Sequence, residues 1–174
     1  NVDNYAYVGG IIALGITLAG GYVDSCFNSG DITVISPSSD TAVGGLFGYF
    51  GAFAPIGTQP YYANLYNTGN IKGASPEHTS GIRGRHRGTY KYSGLSINST
   101  RIELEDVYNT GLVQYSLDSG VNWNFGAAID NEDVGTAYYL EGTGNGKGSV
   151  LTEETAKQKS GYSGFDFSKV WVMD

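Results

Sequence analysis

A short cassette recurs along the chain, and its repetition limits the fold more than any other feature. It consists of cysteine or an aliphatic residue, an aromatic ring, asparagine, serine or threonine, and glycine, with a branched apolar residue two positions beyond the glycine. Clear copies begin at Cys26, Leu65 and Val107, and a degraded copy spans Tyr138 to Gly142. A cassette that returns every 30 to 45 residues indicates one structural unit stacked on itself.

A second, glycine-rich cassette alternates with the first. It covers residues 8–11, 43–48, 80–84 and, more loosely, 125–129. The chain has 27 glycines in 174 residues and many branched and aromatic side chains, which is typical of short strands joined by tight turns. We therefore expect an all-β fold, a right-handed parallel β-solenoid (β-helix) of seven or eight coils, with about 15–20 residues a coil and about 4.8 Å between coils.

Alternation along a strand assigns the side chains of the first cassette to two faces. Cys26, Leu65 and Val107, with Ile32, Ile71 and Val113 beyond the turn, are predicted to point inward as aliphatic columns. Phe27, Tyr66 and Tyr108 are predicted to form a second column, either outward or at a corner. In the turn we expect glycine in the left-handed conformation and asparagines that bond one another between coils.

The C-terminal part of the chain departs from the repeats. Thr152 is a suitable N-cap, and acids follow it, so residues 151–160 are predicted to contain one short helix. The aromatic segment Gly164 to Trp171 suits a cap over the last coil. We expect one domain over residues 1–174, with repeats at about 5–146 and the helix and aromatic cap at 147–174.

Charge and hydropathy exclude two classes of partner. The net charge is −7, which argues against nucleic-acid binding because that requires a basic footprint. No apolar run approaches the length of about 20 residues that a membrane span requires. The single cysteine, Cys26, is expected in the inward column, where a thiol is inert.

A basic cluster interrupts the repeats. Residues 84–99 fit neither cassette, and from Ile102 to Gly146 the chain has eight acids and no Lys or Arg. Alternating arginines on a strand share one face, and tyrosines follow them. They are candidates to hold an anionic sugar, a sulfate or an acidic protein patch, with a solvated charged loop as the alternative. The candidate ligand-binding residues are Arg83, Arg85, Arg87, Tyr90 and Tyr92.

No cofactor or metal signature is present. His78 and His86 lack a metal-binding spacing. Asp130, Glu132 and Asp133 offer oxygen ligands for calcium but lack the spacing of a defined calcium loop, so they are weak candidates only. No catalytic residues are assigned. The carboxylates that a carbohydrate-active β-helix enzyme would use are Asp24, Asp31 and Asp106, at positions where aspartate also serves turns.

The order of the two cassettes resembles the GLUG motif of bacterial surface and secreted proteins, which include adhesin-like proteins and the non-catalytic repeats of immunoglobulin A peptidases. Residues 22–32, 43–48, 64–71 and 106–113 carry the resemblance, and the tail Gly164 to Asp174 resembles the segment that closes such arrays. The degraded copy departs from the pattern, with Leu140 and Glu141 in place of Asn-Thr. The resemblance implies a surface-displayed module rather than a catalytic unit.

The leading expectation is therefore a non-enzymatic, extracellular or cell-surface bacterial module. It would act as an adhesin-like binder of host or surface glycans or proteins, through loops and exposed tyrosines, or as a spacer or stalk. The alternative is a subunit of an extracellular filament that self-associates by head-to-tail stacking or strand exchange. The second alternative is a carbohydrate-active enzyme.

Overall fold

Strands make up most of the regular structure. The computed structural model describes residues 6–18, 21–35, 40–53, 61–85, 89–92, 95–98, 104–130 and 134–173. The strands are β1 (Tyr7–Gly9), β2 (Ile12–Leu18), β3 (Tyr22–Asn28), β4 (Ile32–Thr33), β5 (Ala42–Gly44), β6 (Phe47–Phe53), β7 (Tyr61–Asn67), β8 (Ile71–Gly73), β9 (Thr79–Ser80), β10 (Arg83–Arg85), β11 (Thr89–Tyr92), β12 (Leu95–Asn98), β13 (Leu104–Asn109), β14 (Val113–Tyr115), β15 (Asn124–Phe125), β16 (Ala137–Leu140) and β17 (Ser149–Leu151).

Four largely parallel sheets are built from corresponding strands of successive repeats. Sheet I has the order β1-β5-β9, sheet II β2-β6-β10, sheet III β3-β7-β13-β16-β17, and sheet IV β4-β8-β14-β15. Only β15 pairs antiparallel within them. The prediction of an all-β fold with parallel pairing is confirmed.

One layer of the stack contains one copy of each of the two cassettes. Asn28 and Asn67 occupy equivalent positions 39 residues apart, and Asn67 and Asn109 lie 42 residues apart. The predicted 15–20 residues per layer is therefore wrong. Four strands, one for each sheet, fill each of the first two layers, so the two cassettes are parts of one layer and not separate layers.

The inward columns of the first cassette are confirmed. Cys26 pairs with Leu65, and Leu65 pairs with Val107. Leu65 and Val107 are fully buried between sheets II and III, and the half-buried Cys26 packs against them. A smaller cluster of Val43, Ile71 and Val113, with Ile32 against it, fills the space between sheets I and IV.

A residue in the left-handed conformation interrupts the alternation in sheet III. Ser25, Asn64 and Asp106 have φ of 54°, 55° and 50° and occupy equivalent positions of β3, β7 and β13. The extra residue acts as a bulge. Tyr62, Ala63 and Leu65 of β7 are consequently all buried, and the side chain of Asn64 faces outward with that of Tyr66.

The asparagines of the first cassette form a continuous ladder. Asn28 Nδ2 donates to Asn67 Oδ1 at 2.8 Å, and Asn67 Nδ2 donates to Asn109 Oδ1 at 2.7 Å. Each Nδ2 also donates to the carbonyl of the cassette glycine two residues on. The predicted bonding between layers is confirmed, and Asn67 and Asn109 are fully buried.

Close approach, and not backbone conformation, requires glycine at Gly69 and Gly111. Gly30, Gly69 and Gly111 are not among the residues with positive φ, so the predicted left-handed conformation is wrong. A Cβ on Gly111 would collide with the carbonyl oxygen of Gly69. The glycines of the second cassette meet the asparagine ladder, since a Cβ on Gly45 would lie 2.7 Å from Asn67 Cγ.

The degraded copy is aligned one residue differently from the expected register. Tyr138 pairs with Tyr108, and Tyr139 pairs with Asn109. Tyr139 and Leu140, and not Leu140 and Glu141, therefore stand where Asn-Thr stands elsewhere. This register keeps Tyr138 in the outward aromatic column, whereas a slip of one residue would turn every side chain to the opposite face.

Two elements lie outside the four sheets. The strands β11 and β12 form an antiparallel hairpin within residues 84–99, the segment that fits neither cassette. Helix α1 (Glu153–Ala156) has the predicted N-cap, with Thr152 Oγ1 accepting from Thr155 N. It is shorter than residues 151–160 allowed, and a 3₁₀ turn (Lys159–Gly161) follows it.

Candidate functional site

The C-terminal aromatic segment packs along the side of the stack. Tyr138, Leu151, Tyr162 and Phe165 form a buried cluster, and Tyr108, Phe167, Trp171 and Met173 pack against it. The segment was expected to cover the end of the last layer. It instead runs across the outward aromatic column of sheet III as far as β7, where it covers apolar rings that the repeats leave exposed.

The aromatic column is a regular feature of sheet III. Phe27 stacks on Tyr66 with ring centroids 4.9 Å apart and planes 4° apart. Tyr66 pairs with Tyr108, and Tyr108 with Tyr138. The predicted outward position of these rings is confirmed, since Phe27 is 53% exposed while its neighbours Cys26 and Asn28 are half-buried.

A groove of about 470 Å³ lies between the aromatic column and the C-terminal segment. One wall comes from β7 and β13, and the other comes from α1 and the tail. Its lining residues are Tyr66, Thr68, Tyr108, Ala156, Tyr162, Phe165, Phe167, Val170, Trp171, Val172 and Met173. This described lining has neither carboxylates nor cationic side chains, so the groove suits an uncharged ligand with apolar faces and hydroxyl groups.

Trp171 is the residue that closes the groove over β7. Its indole Nε1 donates to Asn64 Oδ1 at 3.1 Å, and its ring lies 5.9 Å from that of Tyr66 and 4.5 Å from that of Phe165. Asn64 Nδ2 in turn donates to Asp24 Oδ1 at 2.7 Å. The side chain of Asn64 thus links the indole of Trp171 to Asp24 of the neighbouring strand.

A turn around Asp166 presents Trp171 to the groove. Asp166 Oδ1 accepts hydrogen bonds from Ser168 N and Ser168 Oγ, and the Asp166 carbonyl accepts from the backbone N–H of Val170 and Trp171. The two bonds from Ser168 lower the pKa of Asp166. The turn is therefore held by an ionised carboxylate at neutral pH.

Tyr108 and Tyr162 are neutral phenols at pH 7. Burial raises the pKa of Tyr108 and of Tyr162 above the ordinary value of 10.0. Tyr162 Oη donates to the Ala156 carbonyl at 2.8 Å, which ties the tail to α1. Tyr66 and Tyr108 line the groove, and a tyrosine hydroxyl is able to donate and accept hydrogen bonds.

The structure corrects the predicted role of Arg83. Arg83 is only 1% exposed, and its Nε donates to Asp130 Oδ2 at 2.8 Å inside the protein. It pairs with Phe47, which pairs with Ile12, so a charged residue occupies a position that is apolar in the other layers. Arg83 is consequently not available to an external anionic ligand.

The other members of the basic cluster are placed as far as the described residues allow. Arg85 is half-buried. The burial of His78, and then the positive charge of Arg85, lower the pKa of His78. Arg87 lies outside the described residues, and so do the side chains of Tyr90 and Tyr92, whose backbones belong to β11. Of the five candidates only Arg83 and Arg85 have described side chains, so the proposed surface site stays a prediction apart from the buried Arg83.

The calcium candidates are divided in the same way. Asp130 is buried and committed to Arg83, while Glu132 and Asp133 lie outside the described residues. Within the described part of the chain no three His, Cys, Asp or Glu residues form a group able to hold a metal ion.

The three aspartates considered for catalysis have separate structural partners. Asp24 accepts from Asn64, and Asp31 Oδ1 accepts from Asn70 N at 2.7 Å in the turn between layers. Burial, followed by the charge of Glu105, raises the pKa of Asp106. None of the three lines the groove.

Comparisons with known proteins give no match: no family model, no curated protein and no solved structure is similar to this chain. In the described residues no helix has the length and hydropathy that a membrane crossing demands. The site is therefore defined by its own geometry.

The sequence carried one signal for the groove that its interpretation missed. Taken separately, the outward column predicts an exposed aromatic surface and the aromatic tail predicts a cap. Two exposed aromatic surfaces on one small domain bury each other more readily than either stays in water. Their joint presence is what indicates a groove on sheet III.

Proposed function

We propose that this chain is a non-enzymatic, adhesin-like binding module of an extracellular or surface-displayed bacterial protein. In this proposal the four sheets are the faces of a right-handed parallel β-solenoid, and the groove between sheet III and the tail binds a neutral glycan. The observation that carries the proposal is the groove of about 470 Å³ lined by Tyr66, Tyr108 and Trp171.

The chemistry of the lining supports a sugar ligand. The C–H face of a pyranose ring is apolar and packs on aromatic rings, while its hydroxyls require donors and acceptors. Tyrosine and tryptophan supply both from rigid side chains at low entropic cost. A charged ligand is less suitable because the described lining offers no counter-charge.

The scaffold supports the proposal of a module that presents a binding site and catalyses no reaction. The asparagine ladder and the aliphatic columns hold the layers rigidly, and the groove is formed on the side of this stack by regular rungs. The resemblance of the cassettes to GLUG repeats supports the surface or secreted location. A spacer role is compatible with the same scaffold.

A binding screen tests the proposal. The chain is applied to an array of neutral and anionic glycans and to matrix proteins, beside Trp171→Ala and Trp123→Ala. Trp123 is the matched control because it is the other of the two tryptophans, lies under Lys72 and is not among the residues that line the groove. We expect binding to neutral glycans that Trp171→Ala weakens about tenfold or more and Trp123→Ala leaves unchanged.

Two results would contradict the proposal. Equal loss in both tryptophan variants would place the ligand outside the groove. Absence of binding to every glycan and matrix protein would remove the binding role and leave the spacer role.

A further inference from the structure

The two walls of the groove differ in chemistry. The sheet wall, which consists of β7, β13 and the turn after β7, contributes Tyr66, Thr68 and Tyr108 to the lining, and each of these side chains carries a hydroxyl. The tail wall, which consists of α1 and the C-terminal segment, contributes Tyr162 and Trp171 together with side chains that have no hydrogen-bonding group of comparable strength. The latter are Ala156, Phe165, Phe167, Val170, Val172 and Met173.

The polar side-chain atoms of the tail wall are already bonded within the protein. Trp171 Nε1 donates to Asn64 Oδ1 at 3.1 Å, and Tyr162 Oη donates to the Ala156 carbonyl at 2.8 Å. A ligand hydroxyl that is buried against this wall therefore finds no free side-chain donor, and burial of an unpaired hydroxyl weakens binding. The side chains of the described lining are thus polar on one side of the groove and apolar on the other.

We infer that the glycan in the groove ends in a 6-deoxyhexose, a pyranose whose C6 is a methyl group and carries no hydroxyl. The inference rests on the proposed glycan function and names the class of sugar. An ordinary hexose has hydroxyls around its whole rim, including the one on C6. A 6-deoxyhexose has a hydroxyl edge and an apolar edge, which C5 and the methyl group form. These two edges match the two unlike walls.

The sheet wall suits the hydroxyl edge of the sugar. Tyr66 pairs with Tyr108 in the parallel register of β7 and β13, so their backbones lie about 4.8 Å apart. Thr68 follows Tyr66 by two residues, and its N–H donates to the Asn28 carbonyl, which fixes the turn against the neighbouring layer. The three hydroxyl-bearing residues are consequently close enough together to meet one sugar residue.

The tail wall suits the methyl edge. Phe165 belongs to the buried aromatic cluster, and Phe167, Trp171 and Met173 pack against it, so this apolar surface is held in place. Val170 also lines the groove and is 40% exposed. A methyl group packed on this wall removes apolar surface from water, whereas a C6 hydroxyl in the same place loses its bonds to water and gains none from the side chains.

Pairs of methyl glycosides that differ only at C6 test the inference with the full chain. The pairs are the α-L-fucoside and α-L-galactoside, the α-L-rhamnoside and α-L-mannoside, and the β-D-quinovoside and β-D-glucoside. Titration calorimetry gives a dissociation constant for each. We expect the 6-deoxy member of at least one pair to bind about tenfold more tightly than its hexose, because the two members share every other hydroxyl and the ring configuration.

A pair of valine variants assigns the preference to the tail wall. Val170→Thr replaces a methyl group by a hydroxyl at nearly constant volume. Its matched control is Val150→Thr on β17, where Val150 is 52% exposed and does not line the groove. We expect Val170→Thr to bring the ratio of the two dissociation constants close to one and Val150→Thr to leave it unchanged. A fraction of unfolded protein does not alter this ratio, because it weakens the apparent binding of both sugars alike.

The sheet wall is tested by Tyr66→Phe, which removes one hydroxyl and keeps the ring. We expect this variant to weaken the binding of both members of a pair by a similar factor, of about tenfold, and to leave their ratio as it is. A change of the ratio in Tyr66→Phe would contradict the assignment of the methyl edge to the tail wall.

The remaining outcomes separate this inference from the proposed function. Equal affinities within every pair, tighter binding of the hexoses, or no binding of any of the glycosides would overturn the inference. An array on which the protein binds only glycans without a 6-deoxyhexose would overturn it too, and each of these results is compatible with a glycan-binding groove. Absence of binding to every glycan on the array would overturn the proposed function and the inference together.

Discussion

At the scale of single residues, asparagine and glycine make the two cassettes dependent on each other. The amide of Asn67 bonds to the layers on both sides and to the Gly69 carbonyl. The space for this amide exists because Gly45 of the second cassette has no side chain. A buried polar ladder of this kind is stable only while every member is satisfied. The alternation of the cassettes in the sequence is the consequence.

Removal of the central rung tests this dependence. Asn67→Ala leaves Asn28 Nδ2 and Asn109 Oδ1 without their partner and opens a small cavity, so we expect it to lower the free energy of unfolding by about 2–4 kcal/mol. Asn28→Ala, in the first described layer, interrupts only one of the described bonds between layers and is expected to cost about 1 kcal/mol. Urea denaturation of both variants measures the difference. Equal costs would contradict a continuous ladder.

Arg83 is the residue whose surroundings the sequence interpretation predicted least well. Its alternation with Arg85 and Arg87 suggested a solvated face. Alignment of the second cassettes instead places Arg83 opposite Phe47 and, through the bridge of Ser80 to Ala127, near Asp130. Opposite charges at one repeat position in successive layers were the available signal. Alternation along one strand does not reveal this signal, because it carries no information about the residue at the same position of the next layer.

At the scale of the strand, the left-handed residues of β3, β7 and β13 explain the shape of sheet III. The bulge lets Leu65 and Tyr62 both point inward while Asn64 and Tyr66 both point outward. Strict alternation predicted the aliphatic and aromatic columns correctly because it was applied only after the bulge. The bulge itself escaped prediction, although Asn and Asp are the non-glycine residues that tolerate this conformation best.

Asp106 is one of the three left-handed residues of sheet III, and its effect on protein stability is expected to depend on pH. Burial and the neighbouring Glu105 raise its pKa above the ordinary 3.8, so the folded state binds its proton more tightly than the unfolded state does. Its favourable contribution is therefore complete below pH 3.8 and is lost as the pH rises through the raised pKa. Asp106→Asn, which retains a residue suited to positive φ, is expected to raise Tm at pH 7 but not at pH 3.

Asp166 is the control of opposite sign for that experiment. Hydrogen bonds from Ser168 lower its pKa, so ionisation stabilises the folded state above pH 3.8 and this contribution is lost as the pH falls through the lowered pKa. Asp166→Asn is expected to lower Tm at pH 7. Thermal denaturation at both pH values gives the comparison. A lower Tm for Asp106→Asn at pH 7 would contradict the stated cause of its shift.

At the scale of the whole molecule, the repeats and the tail have different origins in the sequence. The parallel pairing, the inward columns and the ladder follow from repetition, because a repeated residue in a stack must meet its own copy. Repetition does not determine the number of residues per layer. The order of the cassettes along the chain is the same whether a layer contains one cassette or two. Only the pairing of Cys26 with Leu65 separates these possibilities.

The groove depends on a long-range contact that repetition does not specify. Trp171 reaches Asn64 across 107 residues of sequence. The aromatic tail was recognised as a cap, but an apolar cap fits any exposed apolar surface, and the end of the stack and its side both qualify. The hydrogen bond between Trp171 and Asn64 selects the side, and it creates the concave surface that the proposed function uses.

The indole resonances of the protein test the central claim, that the groove is the ligand site. The chain has two tryptophans, so a nitrogen–proton correlation spectrum contains two indole signals, which Trp123→Phe assigns. On titration with a glycan that the array identifies, we expect the chemical shift of the Trp171 indole to change until the protein is saturated. The Trp123 signal should stay in place. A shift of Trp123 alone, or saturable binding that moves neither signal, would contradict it.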